Sequence, residues 1–228
     1  MPALPKSLPR ICVALGSDSP AALAQAAERE YKDGNTFLEF RLDYLSTPES
    51  GIALIETFVK KRPEARVLAT CRLGGHNGFF KGTIDQQTRL LAKAAEAGAV
   101  AIDLEIESAE RAAPAVESLR EHTPVIVSYH NFESTPSLEP VLRRLMRVQA
   151  DAYKLATLAR KPSDSLRLVE FLKKHQKKDH HKTPLIAFTM SEQGLCTRVL
   201  SPALGGVFTY AAPGEADAAP NYAADWGS

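Results

Sequence analysis

Residues 124–155 read PVIVSYHNFESTPSLEPVLRRLMRVQADAYKL, and the pattern of this stretch indicates the fold class. It begins with a short apolar run over residues 125–129, continues through an amphipathic segment over 138–148, and ends with a second apolar run over 152–155. Two short apolar runs joined by one helix predict neighbouring parallel strands with a right-handed crossover. The stretch is therefore predicted to form one β-α-β unit.

The same alternation of strand-like and helix-like segments runs through the whole chain. Further strands are predicted at 10–16, 37–42, 66–71, 100–105, 185–189 and 207–210. Further helices are predicted at 21–32, 50–61, 85–97, 109–121 and 163–175, with a short one after Ser191. A chain of 228 residues with this alternation predicts the α/β class and a closed (β/α)8 TIM barrel. A doubly wound open sheet is the rival fold, but no Gly-x-Gly-x-x-Gly pattern follows the first strand.

Composition excludes several classes of protein. Hydrophobic residues make up 44% of the chain and charged residues 24%, as in globular proteins, and the net charge of +1 gives no reason to expect a nucleic-acid partner. The three cysteines, Cys12, Cys71 and Cys196, lack the spacing of metal ligands. The sequence shows neither a membrane-spanning run nor a signal-peptide core. We therefore expect a cytoplasmic protein with reduced thiols and no membrane partner.

Lys154 and His130 are the first candidates for chemistry. His130 follows the predicted strand 125–129, and Lys154 lies at the end of the neighbouring predicted strand 152–155. Barrel enzymes carry their catalytic groups at the carboxyl ends of the strands. A lysine in an apolar site has a lowered pKa, so its amine can attack a carbonyl group. A histidine beside it can move protons near neutral pH. The pair suggests Schiff-base chemistry.

Further charged residues lie at the ends of other predicted strands. Glu39, Arg41 and Asp43 alternate, so all three are predicted to point to one face of the second strand. Arg72 follows the third strand and Arg198 lies beyond the seventh; if both face the rim, they form an anion clamp. These residues predict a polar lining for a hydroxylated, anionic substrate. The alternatives are an ion-pair network inside the barrel and, for the two arginines, ordinary loop or surface positions.

Several motifs occur in a specific order and spacing. They are Leu38-Glu-Phe-Arg-Leu-Asp43, Ala69-Thr-Cys-Arg72, Ile102-Asp-Leu-Glu105, Ser128-Tyr-His-Asn-Phe-Glu-Ser-Thr-Pro136, Asp151-Ala-Tyr-Lys154, and Thr189-Met-Ser followed by Arg198-Val-Leu-Ser-Pro. Together they resemble the type I 3-dehydroquinate dehydratases of the shikimate pathway, over most of the chain from Arg10 to Tyr210. The resemblance implies a TIM barrel that uses no metal and no organic cofactor.

The resemblance also implies roles for individual residues. Lys154 would form an imine with the ring ketone of 3-dehydroquinate, and the protonated imine would acidify the neighbouring CH₂ group. His130 would take that proton and return it to the departing C1 hydroxyl, giving 3-dehydroshikimate after imine hydrolysis. The implied substrate-binding residues are Glu39, Arg41 and Arg72 for the ring hydroxyls and Arg198 for the carboxylate, with Asp43 in support and Phe132 and Met190 as apolar walls.

The sequence departs from the family at two places. The family usually has a glutamate four residues after the third-strand arginine, hydrogen-bonded to the catalytic histidine, and that position is His76 here. A neutral His76 could still orient His130, whereas a cation would lower the pKa of His130; a shifted loop alignment is the alternative. In the C-terminal lid, the family's Ser and Gln fall on Asp217 and Asn221. An aspartate there would repel the substrate carboxylate.

The closing residues leave no room for a helix after the last strand. We therefore expect residues 1–212 to form the catalytic barrel and residues 213–228 to be a lid remnant and flexible tail displaced from the pocket. Either the barrel lacks its final helix or the chain is one part of a longer polypeptide. The leading hypothesis is an active carbon–oxygen lyase. One alternative is a dehydratase-like barrel with impaired turnover, acting as a binding or fused scaffold domain; another is a different Schiff-base barrel, such as an aldolase. A homodimer and a fusion with shikimate dehydrogenase are left open.

Overall fold

Eight parallel strands form one sheet that curls into a nearly closed barrel. The computed structural model of the protein describes residues 3–178 and 183–214. The strands are β1 (Ile11–Leu15), β2 (Phe37–Arg41), β3 (Arg66–Thr70), β4 (Ala101–Glu105), β5 (Val125–Asn131), β6 (Ala152–Leu158), β7 (Leu185–Met190) and β8 (Thr209–Ala211). Each strand pairs with the next along the chain from β1 to β7, and β8 pairs with β1. The amide of Val207 donates to the carbonyl of Leu185 at 2.9 Å, where the chain entering β8 meets β7. The predicted (β/α)8 TIM barrel is confirmed.

Helices follow the strands and cover the outside of the barrel. They are α1 (Pro20–Lys32), α2 (Ser50–Lys61), α3 (Ile84–Glu96), α4 (Ile106–Arg111), α5 (Ala113–His122), α6 (Leu138–Leu145), α7 (Pro162–Lys178) and α8 (Leu195–Ala203). Within the described parts of the chain, no helix is long and apolar enough to cross a membrane.

The prediction of one helix over 109–121 is wrong, because two helices, α4 and α5, occupy this region. They meet at Ala112, whose backbone is not helical and which ends one helix and begins the other. Pro114 lies in the first turn of α5. A proline fits there because the first amides of a helix have no partner within the helix, whereas it would break the middle of a longer helix.

The barrel interior is apolar near the amino ends of the strands and polar toward their carboxyl ends. Phe37 and Phe208 fill the barrel near the amino ends of the strands and pack edge to face, with their ring centroids 4.9 Å apart. Two residues along from Phe37, on the same face of β2, lies Glu39. The alternate residues Leu38 and Phe40 belong to a second apolar cluster between the sheet and the helices. The amino end is thus a packed core, and the space for a ligand lies at the carboxyl end.

Strand lengths differ from prediction in ways that change the position of site residues. β6 continues to Leu158 rather than stopping at Leu155, because its later residues pair with β5 on one side and β7 on the other. Lys154 therefore lies in the middle of a strand, not at its end. β2 is shorter than predicted, because the chain turns into a 3₁₀ helix at Leu42–Tyr44. Asp43 is therefore not on the strand face that carries Glu39 and Arg41.

The predictions about the C-terminal segment cannot be compared with the structure beyond Gly214. Asp217 and Asn221, the flexible tail and the missing helix after β8 all lie outside the described residues. The last described strand ends at Ala211, and the division of the chain at residue 212 stays a prediction.

Candidate active site

A cavity of about 460 Å³, counting its open mouth, lies at the carboxyl end of the barrel. Most of the residues selected from the sequence line it: Glu39, Arg41, Arg72, His130, Phe132, Lys154, Met190 and Arg198. The other lining residues are Ala14, Ala156, Phe188 and Tyr210. A cavity that mixes apolar walls with a few charged groups is typical of a small-molecule site.

Lys154 reaches the cavity from the middle of β6, where it lies beside Ser128 of β5 and Ile186 of β7. Its side chain is only 5% exposed. The ammonium lies 3.3 Å from Oδ2 of Asp103 and 4.1 Å from the centroid of the Tyr210 ring. The surroundings of Lys154 are thus not simply apolar, since one carboxylate and one aromatic face contact its ammonium.

Asp103 is fully buried and is the anion at the centre of this group. Its Oδ1 accepts a hydrogen bond from the Ser128 hydroxyl at 2.7 Å and one from Arg72 at 3.5 Å. Burial alone would raise the pKa of the Asp103 carboxyl, but Lys154, Arg72 and the Ser128 hydrogen bond lower it below its ordinary value. Asp103 is therefore ionised at neutral pH and balances the two cations beside it.

Glu105, the second acid of β4, has different surroundings from Asp103. Its carboxylate accepts hydrogen bonds from the Gln87 amide, the Ser108 hydroxyl and the backbone amide of Leu73. These contacts hold the loop that follows Arg72 against the end of β4. Glu105 thus supports the loop and is not among the described residues that line the cavity.

His130 lies near the end of β5, opposite Ala156 of β6, and so is two residues nearer the mouth than Lys154. Its ring stacks on Phe132, with centroids 6.0 Å apart and planes 14° apart. Burial lowers the pKa of His130 well below its ordinary value, and the charges of Arg72, Lys154 and Arg41 lower it further. The imidazole is therefore neutral at physiological pH, the form in which it can accept a proton.

Glu39 and Arg41 project from β2 into the same cavity, each with a partner of its own. Oε1 of Glu39 accepts a hydrogen bond from the Thr70 hydroxyl at 2.6 Å. Arg41 binds Asp43 with two hydrogen bonds of 3.0 and 2.9 Å, and its guanidinium lies over the ring of Tyr44 at 4.6 Å. Asp43 thus reaches the site only through Arg41, as an ion-pair partner that fixes the guanidinium.

Arg72 follows β3 and turns inward toward Asp103. Its Nε is buried and has no hydrogen-bond partner among the residues that the structure describes. A buried guanidinium donor without a partner is costly unless a ligand accepts from it. Arg72 can therefore offer a hydrogen bond to a molecule in the cavity while it remains paired with Asp103.

Arg198 enters the cavity from α8, and the local structure explains how it arrives there. Ser191 has a positive φ of 76°, which turns the chain sharply after β7. The Thr197 hydroxyl accepts from the amide of Thr189 at 2.8 Å and so ties α8 to the end of β7. The guanidinium of Arg198 lies 4.4 Å from the Phe188 ring centroid. Burial lowers the pKa of Arg198 to about 9, so Arg198 keeps its positive charge at neutral pH.

His76 does not join this group. It ends a 3₁₀ helix over Gly74–His76 in the loop after β3, and it is not among the described residues that line the cavity. The expectation that His76 orients His130 therefore has no contact to support it. No group of three or more His, Cys, Asp or Glu side chains in the described ranges, 3–178 and 183–214, is arranged to hold a metal ion.

The sequence placed Asp103 among the acids of the fourth strand without a specific role and did not single out Tyr210, although both contact the Lys154 ammonium. Asp103 carried a usable signal, since it is an acid between Ile102 and Leu104 in a strand whose other face is apolar. Tyr210 carried no such signal, because an aromatic residue in a strand is ordinary.

Together, the buried lysine, the neutral histidine and the arginines of the cavity can bind an anionic ketone, form an imine with it and remove a proton beside the imine.

Comparison with known proteins gives the chain's relationships. The sequence model of the family described as type I 3-dehydroquinase matches residues 11–224. A 3-dehydroquinate dehydratase of Desulfotalea psychrophila is 37% identical over 206 residues, which is 88% of this chain and 86% of that protein. The crystal structure of 3-dehydroquinate dehydratase from Geobacillus kaustophilus superposes with a TM-score of 0.82, at 24% identity over 92% of this chain and 84% of that chain. A bifunctional 3-dehydroquinate dehydratase/shikimate dehydrogenase of Arabidopsis thaliana is 29% identical over 88% of this chain and 32% of that protein.

Proposed function

The chain belongs to the type I 3-dehydroquinase family, and we propose that it dehydrates 3-dehydroquinate to 3-dehydroshikimate through an imine on Lys154. The observation that carries the proposal is the buried ammonium of Lys154 in the same cavity as His130, 3.3 Å from the Asp103 carboxylate. A lysine is seldom buried without a partner or a task. Lys154 has a partner in Asp103, and it also lines the cavity that a substrate would fill.

In the first step, the ammonium of Lys154 gives up a proton, which ends on the ketone oxygen, and the resulting amine attacks the ring ketone. The resulting carbinolamine loses water and becomes a protonated imine, which carries a positive charge where the ammonium was. Asp103 and the face of the Tyr210 ring already surround this position with negative potential. They therefore stabilise the cation of the imine without rearranging, which is the preorganisation that lowers a barrier.

In the second step, His130 removes a proton from the carbon beside the imine. Its lowered pKa keeps the imidazole neutral, so it acts as a base at physiological pH. The electrons of the broken C–H bond move into the imine, forming an enamine. They return to expel the C1 hydroxyl, to which His130 gives back the proton, so that the oxygen leaves as water. Hydrolysis of the imine then releases 3-dehydroshikimate.

The charged residues of the rim would hold the substrate in place. Arg198, buried against Phe188, is proposed to bind the carboxylate, since a planar guanidinium matches its two oxygens. Arg72 offers its Nε, which has no hydrogen-bond partner in the described part of the chain, and Glu39 offers a carboxylate, to the ring hydroxyls. Arg41 stands beside them, fixed by Asp43. Phe132 and Met190 would form the apolar walls.

A binding or scaffold domain with impaired turnover remains the second candidate, because the lid positions depart from the family. Fusion proteins exist among the relatives, as the bifunctional Arabidopsis protein shows, and this chain matches 32% of that protein's length. Fusion of this chain with shikimate dehydrogenase, and a homodimer, stay predictions. A cytoplasmic location is supported by the three cysteines, which are all free thiols.

The experiment that tests the proposed function follows the enone absorbance of 3-dehydroshikimate after 3-dehydroquinate is added to the purified protein. The wild-type protein should turn over. Lys154→Arg should not, because an arginine keeps the charge beside Asp103 but cannot act as a nucleophile. Lys60→Arg, at an exposed lysine of α2, is the matched control and should be as active as wild type. Inactive wild-type protein that binds the substrate would favour the binding domain, and an active Lys154→Arg variant would exclude the lysine imine.

A further inference from the structure

Tyr210 lines the cavity, and its hydroxyl is buried without a hydrogen-bond partner among the residues that the structure describes. Tyr210 as a whole is 4% exposed. Buried hydroxyls in folded proteins nearly always have a partner, and leaving one unpaired costs free energy. A phenylalanine would fill the same space without this cost. The hydroxyl therefore calls for an explanation other than packing.

Tyr210 lines the cavity beside Lys154. It lies on β8 beside Cys12 of β1, and closure of the barrel places β8 two strands from β6, on the far side of β7. Its ring packs against Phe188 and Phe208, with centroids 5.7 and 5.4 Å away, and these contacts hold it in one orientation. The ammonium of Lys154 lies 4.1 Å from the ring centroid. The phenol group is thus fixed close to the atom that forms the imine.

The charges around the phenol determine its protonation. Burial raises the pKa of Tyr210 well above its ordinary value, and the carboxylates of Glu39 and Asp103 raise it further. The hydroxyl thus keeps its proton at any physiological pH. Tyr210 is therefore a permanent hydrogen-bond donor whose proton an acceptor oxygen would satisfy.

A second buried tyrosine shows what a structural hydroxyl looks like in this protein. The hydroxyl of Tyr153, on the outward face of β6, donates to the carbonyl of Val148 at 2.9 Å. That hydrogen bond ties β6 to the end of the segment that precedes it. The Tyr210 hydroxyl makes no such bond to the described residues. The Tyr153 hydroxyl is thus explained by structure, whereas the Tyr210 hydroxyl is not.

We propose that the Tyr210 hydroxyl binds the oxygen atom that leaves the substrate ketone as water when the imine forms and that returns when the imine is hydrolysed. This inference rests on the proposed function, since it assigns a residue to two steps of the lysine mechanism. Tyr210 would be a catalytic residue for those two steps and would not take part in the proton transfers of His130.

The chemistry balances without any other reactant. An ammonium and a ketone give a protonated imine and one water, so the positive charge is conserved and two hydrogens of the ammonium leave on the oxygen. The nitrogen–carbon bond forms first, which makes the ketone oxygen a hydroxyl, and the carbon–oxygen bond then breaks. Tyr210 donates a hydrogen bond to that oxygen in both stages and is unchanged at the end. Hydrolysis is the same sequence in reverse.

Oxygen exchange isolates these two steps from the dehydration. Wild-type protein, Tyr210→Phe and Tyr153→Phe are each incubated with 3-dehydroshikimate in ¹⁸O-water, and the ketone's gain of ¹⁸O is followed by mass spectrometry against a protein-free blank. Every exchange event requires one imine to form and one to be hydrolysed. Thermal unfolding of the three proteins is measured in parallel.

The proposal expects opposite effects in the two variants. Tyr210→Phe should slow the exchange about tenfold or more, the factor expected when one hydrogen bond to a reacting oxygen is lost, without a lower unfolding temperature. Tyr153→Phe should exchange at the wild-type rate but unfold at a lower temperature. Exchange in Tyr210→Phe within about twofold of wild type would overturn the proposal. So would a loss of stability as large as that of Tyr153→Phe, because it would show that the Tyr210 hydroxyl has a structural partner.

The result also separates this inference from the function on which it rests. If wild-type protein neither exchanges the oxygen nor dehydrates 3-dehydroquinate, the lysine mechanism itself fails and the role of Tyr210 falls with it. If wild-type protein does both and Tyr210→Phe does both equally well, only the role of Tyr210 is contradicted.

Discussion

The ammonium of Lys154 lies 3.3 Å from Oδ2 of Asp103, and both side chains are buried inside the barrel. The two charges lie on β6 and β4, on either side of β5, whose Ser128 donates to the same carboxylate. An ammonium and a protonated imine carry the same charge at the same nitrogen. Asp103 therefore serves the resting enzyme as an ion-pair partner and the reaction as a fixed counter-charge.

This pairing makes a prediction about stability. Lys154→Met should destabilise the protein by about 3–5 kcal/mol, because it takes the nearer cation from the buried Asp103 carboxylate, which keeps the Ser128 hydrogen bond and the more distant Arg72. Asp103→Asn should be destabilising for the converse reason. The double variant should recover much of the loss, since both charges are then gone. Urea unfolding of the four proteins measures the coupling, and additive losses in the double variant would contradict the pairing.

The lowered pKa of His130 predicts how activity depends on pH. The base is the neutral imidazole, so kcat/KM should fall only as the pH drops through that lowered pKa, at a pH below the ordinary histidine value. Arg72→Gln removes one of the positive charges that lower the pKa of His130. The pKa should then rise, and the acid limb of the profile should move to higher pH. The same limb position in both proteins, or a shift to lower pH, would show that Arg72 does not act on His130.

His130→Ala should lose most of kcat while still forming the imine. General acid–base catalysis contributes about 10²- to 10⁴-fold, and this histidine would serve two proton transfers. His76→Ala is the matched control, and its kcat should stay close to that of wild type because His76 does not line the cavity. Steady-state kinetics of both variants provide the test. A loss in His76→Ala comparable to that in His130→Ala would restore the orienting role expected from the sequence.

Arg198→Met should chiefly weaken substrate binding. Methionine keeps apolar contact with Phe188 but removes the buried charge proposed to meet the carboxylate. Losing such a partner costs roughly 2–5 kcal/mol, so KM should rise by a factor of tens or more. The change in kcat should be much smaller. An unchanged KM in a folded Arg198→Met protein would mean that the carboxylate binds elsewhere.

The barrel could be predicted from the sequence because its signal repeats along the chain. Short apolar runs at regular intervals, separated by amphipathic segments, leave few alternatives at this length. The exact ends of the strands depended on pairing between strands, which no local sequence pattern encodes. β6 continues past Leu155 because Ala156 and Thr157 are paired on both sides, although neither residue gives a strong hydrophobic signal. The break at Ala112 had a local cause in Pro114, which the predicted long helix overlooked.

The sequence predicted which charged residues form the candidate site, but it did not predict which residues they contact. Lys154, His130 and the arginines stand out because charges are rare on inward-facing barrel positions. Asp43 was placed on the wrong element because alternation alone cannot show where a strand gives way to a turn. The contact between Lys154 and Tyr210 joins β6 to β8, which lie toward opposite ends of the strand order, and only the closure of the sheet brings the two together.

The most direct test of the imine on Lys154 is reduction with borohydride in the presence of 3-dehydroquinate, followed by peptide mapping. Reduction converts an imine into a stable amine and so fixes the ligand to the lysine that carried it. We predict one ligand-derived mass per chain, on the peptide that contains Lys154, and the same label in His130→Ala. A label on another lysine, or no label at full substrate occupancy, would contradict the lysine mechanism.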